Sequence, residues 1–241
     1  MSHKDESEKV RLNKYIAQCG ICSRRDADKI IGEGRVSING ELAKAGSKVN
    51  PGDVVKVDGK RIKLVTQTKV YAYYKPEGVV CTLRDAHAKR IVANEVKTPV
   101  KVNYAGRLDA NSSGLLILSN DGELINKMMK SSNNHEKEYV VRVDKEVTGA
   151  FLRQMSGGVY LEELDTTTKR CKVVKTGRNS FRIILTQGLN RQIRRMCESL
   201  GYSVVTLTRT RHPTVINAFV PISFFHSISF TFANRSLHLF C

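Results

Sequence analysis

Residues 106–122 read GRLDANSSGLLILSNDG and constrain this chain more than any other stretch. Polar turn formers run into Leu115-Leu116-Ile117-Leu118 and leave through Ser119-Asn120-Asp121-Gly122. The uninterrupted aliphatic run predicts a buried strand, and the residues before it a loop that enters that strand. Arg107 and Asp109 sit in this loop. From the residues alone they have two readings: a turn former with a surface ion pair, or a carboxylate held in place for chemistry.

Around this strand the chain divides. Residues 1–10 are polar and are expected to be flexible. Residues 11–58 form a small unit. Leu12, Tyr15 and Ile16 fall at i, i+3 and i+4 and predict a short amphipathic helix ended by Gly20. Ser23 is an N-cap for a second helix that buries Ala27, Ile30 and Ile31 and closes at Gly34. Val36 and Ile38 alternate into a strand, Asn39-Gly40 predicts a hairpin turn, Asn50-Pro51-Gly52-Asp53 a second turn, and residues 54–57 a second strand. A basic linker spans 59–69. A second domain, 70–211, has strand patterns at 70–74, 115–118, 138–143, 172–174 and 181–185, and helix patterns at 122–129, 147–155 and 191–200. Strands with interspersed helices predict an α+β domain.

Composition narrows the function. The formal net charge of the 241 residues is +17, which suits a polyanionic partner, nucleic acid or an anionic membrane surface. The N-terminus MSHKDESEKV has no apolar core, and no run approaches the ~18 apolar residues of a membrane span. We therefore expect a cytoplasmic protein that does not engage a membrane. Six cysteines at irregular spacing make no disulfide framework. Cys19 and Cys22 form a lone C-x-x-C without a second pair, so no metal site is expected, and Cys22 is read as a small buried residue at a helix entrance.

Arg24 and Arg25 follow the capping Ser23. Cations at a helix N-terminus oppose the macrodipole. They are either solvated, or they gather phosphates together with the free helix N–H groups. Arg11 and Lys14, on the preceding helix, strengthen the second reading. The whole segment, RLNKYIAQCGICSRRDADKIIGEGRVSINGE, resembles the S4 RNA-binding domain.

AGRLD…SSGLLILSNDG resembles the active-site motif of the RsuA-type pseudouridine synthases. That resemblance carries the catalytic aspartate onto Asp109. His135-Glu136-Lys137-Glu138-Tyr139 resembles the family segment whose tyrosine packs against the target base, and so assigns that role to Tyr139. Residues 187–197, QGLNRQIRRMC, resemble a third family motif, in which an arginine pairs with the aspartate. Arg191 is the first candidate and Arg194 the second; Arg195 and Arg107 are expected to contact RNA. The segments HEKEYVVRVDK and LNRQIRRMCESLGY look closest to the F-type large-subunit ribosomal RNA synthases. The resemblance implies an S4-like domain followed by a mixed, mainly antiparallel sheet, and an isomerase without cofactor or catalytic metal. It also implies a structured RNA substrate, ribosomal RNA first and tRNA second, and a monomer. The competing reading is a non-catalytic S4-type RNA-binding or ribosome assembly protein.

The implied chemistry breaks the N1–C1′ bond of a uridine, turns the uracil and joins C5 to C1′. A carboxylate acting as nucleophile or base has to be ionised. Burial alone favours its protonated form and a neighbouring arginine its charged form, so the chemistry needs an arginine–aspartate couple. Residues 212–241 depart from the family. They hold six of the eight Phe, one Arg, and no Lys, Asp or Glu. This apolar tail is not expected to pack as a continuation of the catalytic domain, and its uncharged β-prone stretches are an aggregation hazard.

Overall fold

The computed structural model describes residues 9–82, 88–130 and 135–211. The expectations for residues 1–8 and for the tail 212–241 lie outside the described residues. The chain divides between Thr68 and Lys69 into two units.

In the first unit β1 (Val10–Arg11) leads into α1 (Leu12–Gln18), and α2 (Arg24–Gly32) follows. Ser23 caps α2. Its hydroxyl accepts from the Asp26 N–H at 3.2 Å and donates to the Asp26 carboxylate at 2.8 Å. Asp26 therefore supplies the first-turn acid that Arg24 and Arg25 lack. Then come β2 (Val36–Ile38), β3 (Glu41–Leu42), β4 (Lys48–Val49), β5 (Val55–Val57) and β6 (Lys60–Arg61). Strands β3-β2-β5-β6 make one small sheet, and β1 pairs with β4. Asn39 at φ 53° and Gly40 at φ 92° close the β2–β3 hairpin with both central residues at positive φ. Leu12, Ile16, Ala27, Ile31, Val36 and Val55 form the core, where the helical faces meet the inward side of the strands.

Three expectations need correction here. Val10 is not free: it pairs with Val49 in a two-residue ladder. The linker is shorter than 59–69, because Asp58 at φ 49° and Gly59 at φ 77° turn the chain back and Lys60 and Arg61 pair with β5. The alternation of Val55, Val57 and buried Ile62 extends the core under what reads, by charge, as a linker. Cys22 is half-buried, and Cys19 is the buried member of the pair.

In the second unit β7 (Val70–Lys75), α3 (Val92–Glu95), β8 (Asn103–Ala105), β9 (Ser113–Ser119), α4 (Gly122–Met129), β10 (Lys137–Val143) and α5 (Gly149–Gly157) come first. β11 (Tyr160–Leu161), β12 (Thr166–Thr167), β13 (Lys172–Gly177), β14 (Ser180–Leu185), α6 (Gln192–Ser199) and β15 (Val204–Arg211) follow. The main sheet has the order β13-β14-β10-β15-β9-β7, with β8 also on β9. Every pairing is antiparallel except β15 on β9. β9 is buried on both faces, as its aliphatic run requires. Leu116 and Leu118 join Tyr71, Tyr73 and Leu108 on one side. Ile117 joins Ala72, Ala105 and Met128 on the other. Beside the first of these clusters, Val141, Phe181, Ile183 and Leu207 pack with Phe151 of α5 and Met196 of α6. Tyr139 touches both clusters.

Candidate active site

The loop between β8 and β9 carries Asp109 and is held from three sides. Gly106 opens it at φ 76°, and the Ser112 N–H donates to the Asp109 carbonyl at 3.1 Å, which closes a tight turn. From β7, the fully buried Lys75 donates to the carbonyls of Pro76 at 2.9 Å, Val79 at 2.8 Å and Ala110 at 3.4 Å. The Gly78 N–H reaches the same Ala110 carbonyl at 2.7 Å. From α6, Arg194 Nη2 donates to the Asn111 carbonyl at 2.7 Å and to Ser112 Oγ at 3.4 Å. The Leu108 N–H rests on Cys81 Sγ at 3.4 Å. With its backbone thus committed, the loop presents the half-exposed Asp109 carboxylate to a cavity of about 910 Å³.

Arg191 stands across from it, with Nη1 3.9 Å from Asp109 Oδ2. This is the distance of an ion pair rather than of a hydrogen bond. Arg191 precedes the first turn of α6 and adopts φ 50°, ψ 30°. A side chain rarely takes this left-handed conformation, which costs on the order of 1 kcal/mol. Arg194, in contrast, is buried under the loop. Burial, and then the neighbouring Arg191, lower its pKa from the usual guanidinium value. Its task is to hold the aspartate loop, while Arg191 faces the carboxylate.

Tyr139 on β10 also lines the cavity, as do Arg107, Lys137 and Arg209. Tyr139 and Arg209 are directly opposite each other on β10 and β15. Arg195 does not join them. It donates to the Asn190 carbonyl at 3.1 Å and to Asn190 Oδ1 at 3.2 Å, and it is ion-paired with Glu163. These contacts brace the turn before α6. Arg11, Lys14, Arg24 and Arg25 belong to the first unit, where Arg11, Arg24 and Arg25 are exposed and Lys14 is half-buried.

Sequence patterns alone did not single out Lys75, Lys137 or Arg209. A period-2 signal was available for two of them. Lys137 lies two residues before Tyr139, and Arg209 two after the buried Leu207, so each shares its neighbour's face of the sheet. Lys75 carried no such signal, because its Lys-Pro-Glu-Gly context reads as the end of a strand. Burial lowers the pKa of Lys75, opposed by Cys81, Glu77 and Asp109 in that order.

These two units match two family models. Residues 10–55 match the S4 domain, and residues 69–199 match RNA pseudouridylate synthase. The chain belongs to the RNA pseudouridylate synthase family. It is 49% identical over 215 residues to the dual-specificity RNA pseudouridine synthase RluF of Escherichia coli K12, covering 88% of this chain and 73% of that protein. It is 39% identical over 212 residues to the ribosomal large subunit pseudouridine synthase B of the same strain, covering 84% and 73%. A crystal structure of a pseudouridylate synthase superposes with a TM-score of 0.60 at 26% identity, over 84% of this chain and 88% of that one. The protein is therefore an isomerase that acts on RNA.

Proposed function

We propose that this enzyme converts a uridine of large-subunit ribosomal RNA into pseudouridine, with Asp109 as the catalytic carboxylate. One observation carries the assignment: among the described residues that line the cavity, Asp109 is the sole acid, set among Arg107, Lys137, Arg191, Arg194 and Arg209. Such a cavity attracts a polyanion and keeps one negative charge for the reacting sugar. A stacked uridine has to be extruded, at a cost of a few kcal/mol. Stacking on Tyr139 returns about 1–3 kcal/mol of it. Arg107, exposed in the same loop as the aspartate, contacts the RNA or fills the space that the flipped base has left. As the N1–C1′ bond breaks, its electron pair passes to the uracil and the sugar becomes cationic. Asp109 stabilises or traps that sugar, then takes the C5 proton once C5 has joined C1′. Arg191 faces the carboxylate across the cleft, 3.9 Å away.

The exposed Arg24 and Arg25, with Arg11 and Lys14, supply RNA-binding charge in the first unit. We take the working form to be a cytoplasmic monomer that does not engage a membrane. No helix among the described residues is long and apolar enough to cross a membrane.

The test is pseudouridine mapping of ribosomal RNA and tRNA from cells that lack the gene, complemented with wild type or Asp109→Asn. The wild type should restore at least one modified position. The variant should bind RNA normally and lose at least about a thousandfold in rate. An unmodified transcriptome with wild type present would leave the competing reading, a non-catalytic RNA-binding or ribosome assembly protein.

A further inference from the structure

Two cations on the cleft floor have no described counter-charge. Arg209 is 3% exposed. Its Nε donates to the Leu115 carbonyl at 2.7 Å, but its Nη2 is buried without a partner. Lys137 is half-buried on the neighbouring strand, on the same face as Tyr139, and lines the same cavity. Among the described residues its ammonium has neither an ion pair nor a hydrogen bond. Burial and then Arg209 lower its pKa, which agrees with two like charges facing one space. The one carboxylate of the cavity, Asp109, is engaged with Arg191. Burying an unsatisfied donor is costly, and holding a second cation beside it adds to that cost. The fold tolerates this arrangement at a functional cavity and, among its buried charges, answers Lys75 with three carbonyls.

We infer that Lys137 and Arg209 form a donor-only subsite, which takes oxygen atoms of the target nucleotide. The inference rests on the reading of the cleft as the uridine site. Ammonium and guanidinium groups donate hydrogen bonds and accept none. They suit the two uracil carbonyls, whose oxygens gain negative charge as the N1–C1′ electron pair spreads over the ring. They suit a backbone phosphate equally. They do not suit the 4-amino group of cytosine, which meets them donor to donor.

The test uses Lys137→Met, which keeps the apolar stem and removes the ammonium, with Lys137→Arg as the conservative rescue. Arg209 is left intact because its Nε also holds β9. The substrate is an RNA fragment that carries the uridine found by mapping, and rate, affinity and melting temperature are measured together. Lys137→Met should keep or raise the melting temperature, because a half-buried charge is removed. It should lose at least about tenfold in rate or affinity, and Lys137→Arg should recover part of that loss. A fall in single-turnover rate at unchanged affinity assigns the subsite to the uracil oxygens. Weaker binding with a salt slope reduced by about 0.7–0.9 assigns it to a phosphate. Unchanged rate and affinity would overturn the inference. So would a melting temperature lowered by several degrees, which would make Lys137 a structural residue. If wild type leaves the uridine unmodified, the functional reading fails, and the affinity arm on the same RNA still decides whether the subsite exists.

Discussion

At the scale of single residues, the two arginines three apart at the start of α6 do different work. Arg191 faces the Asp109 carboxylate from a partly exposed position. Arg194 is buried and ties α6 to the carbonyl of Asn111. The substitutions should separate accordingly. Arg191→Ala should change stability by less than about 1 kcal/mol, since it removes an exposed, loose pair. Its turnover should fall sharply. Arg194→Ala should cost about 2–3 kcal/mol, because it strands buried loop acceptors that Arg194 now satisfies. Its turnover should fall as well, through displacement of the loop. Urea denaturation alongside single-turnover rates checks both. Equal stability losses would contradict the division. Spacing along the sequence cannot separate these two residues. Both are cations in one basic cluster, and only the left-handed backbone at Arg191, φ 50°, aims one outward while the helix carries the other under the loop.

At the scale of elements, the parallel contact between β15 and β9 joins the two halves of the main sheet. It is short, with Thr208 opposite Ser113 and Arg209 opposite Gly114, and it leaves no room for a side chain at position 114. Gly114 has φ 111°, and an added Cβ would lie 2.6 Å from the Arg209 amide nitrogen and nearer still to its carbonyl oxygen. Gly114→Ala should therefore cost about 3 kcal/mol or more, by backbone strain and by separation of the strands. It should also reduce turnover, since β9 begins directly after the Asp109 loop. A thermal unfolding curve that matches wild type would show that the sheet closes without this approach. The same element explains why this strand is absent from the pattern-based expectations. Residues 204–211 read VVTLTRTR, with an arginine at each of the last two odd positions. Charge hides their alternation, yet Leu207 and Arg209 are both buried, and the stretch is the strand that pairs with both β10 and β9.

At the scale of the whole molecule, the proposed function gives RNA binding to the first unit and chemistry to the second. The first presents exposed Arg24 and Arg25 at the capped start of α2. The second holds the cavity. Replacing Arg24 and Arg25 with alanine should weaken RNA binding and lower the slope of log affinity against log salt by about 0.7–0.9 for each phosphate that is no longer neutralised. The single-turnover rate at saturating RNA should stay within about twofold of wild type, because no group of the cleft is touched. Binding titrations from low to moderate salt decide it. An unchanged slope would make these arginines plain surface charge.

Much of this protein is already present in its local patterns. The helices of the first unit follow from Leu12, Ile16, Ala27 and Ile31 at helical spacing and from the cap at Ser23. The buried strand follows from four aliphatic residues that no one-faced strand accommodates. Asp109 became a candidate because the run GRLDANSSGLLILSNDG resembles a family's active-site motif, while the residues alone also allowed a turn former with a surface ion pair. Each of these signals is carried by neighbours within a few positions. The rest depends on residues far apart in the chain. Lys75 reaches the Ala110 carbonyl across 35 positions and Arg209 the Leu115 carbonyl across 94. Lys137 feels the charge of Arg209 only once pairing of β10 and β15 sets Arg209 opposite Tyr139. A cation held without a counter-charge has no local signature, because burial and the absence of a counter-charge are properties of the surroundings that the folded sheet creates.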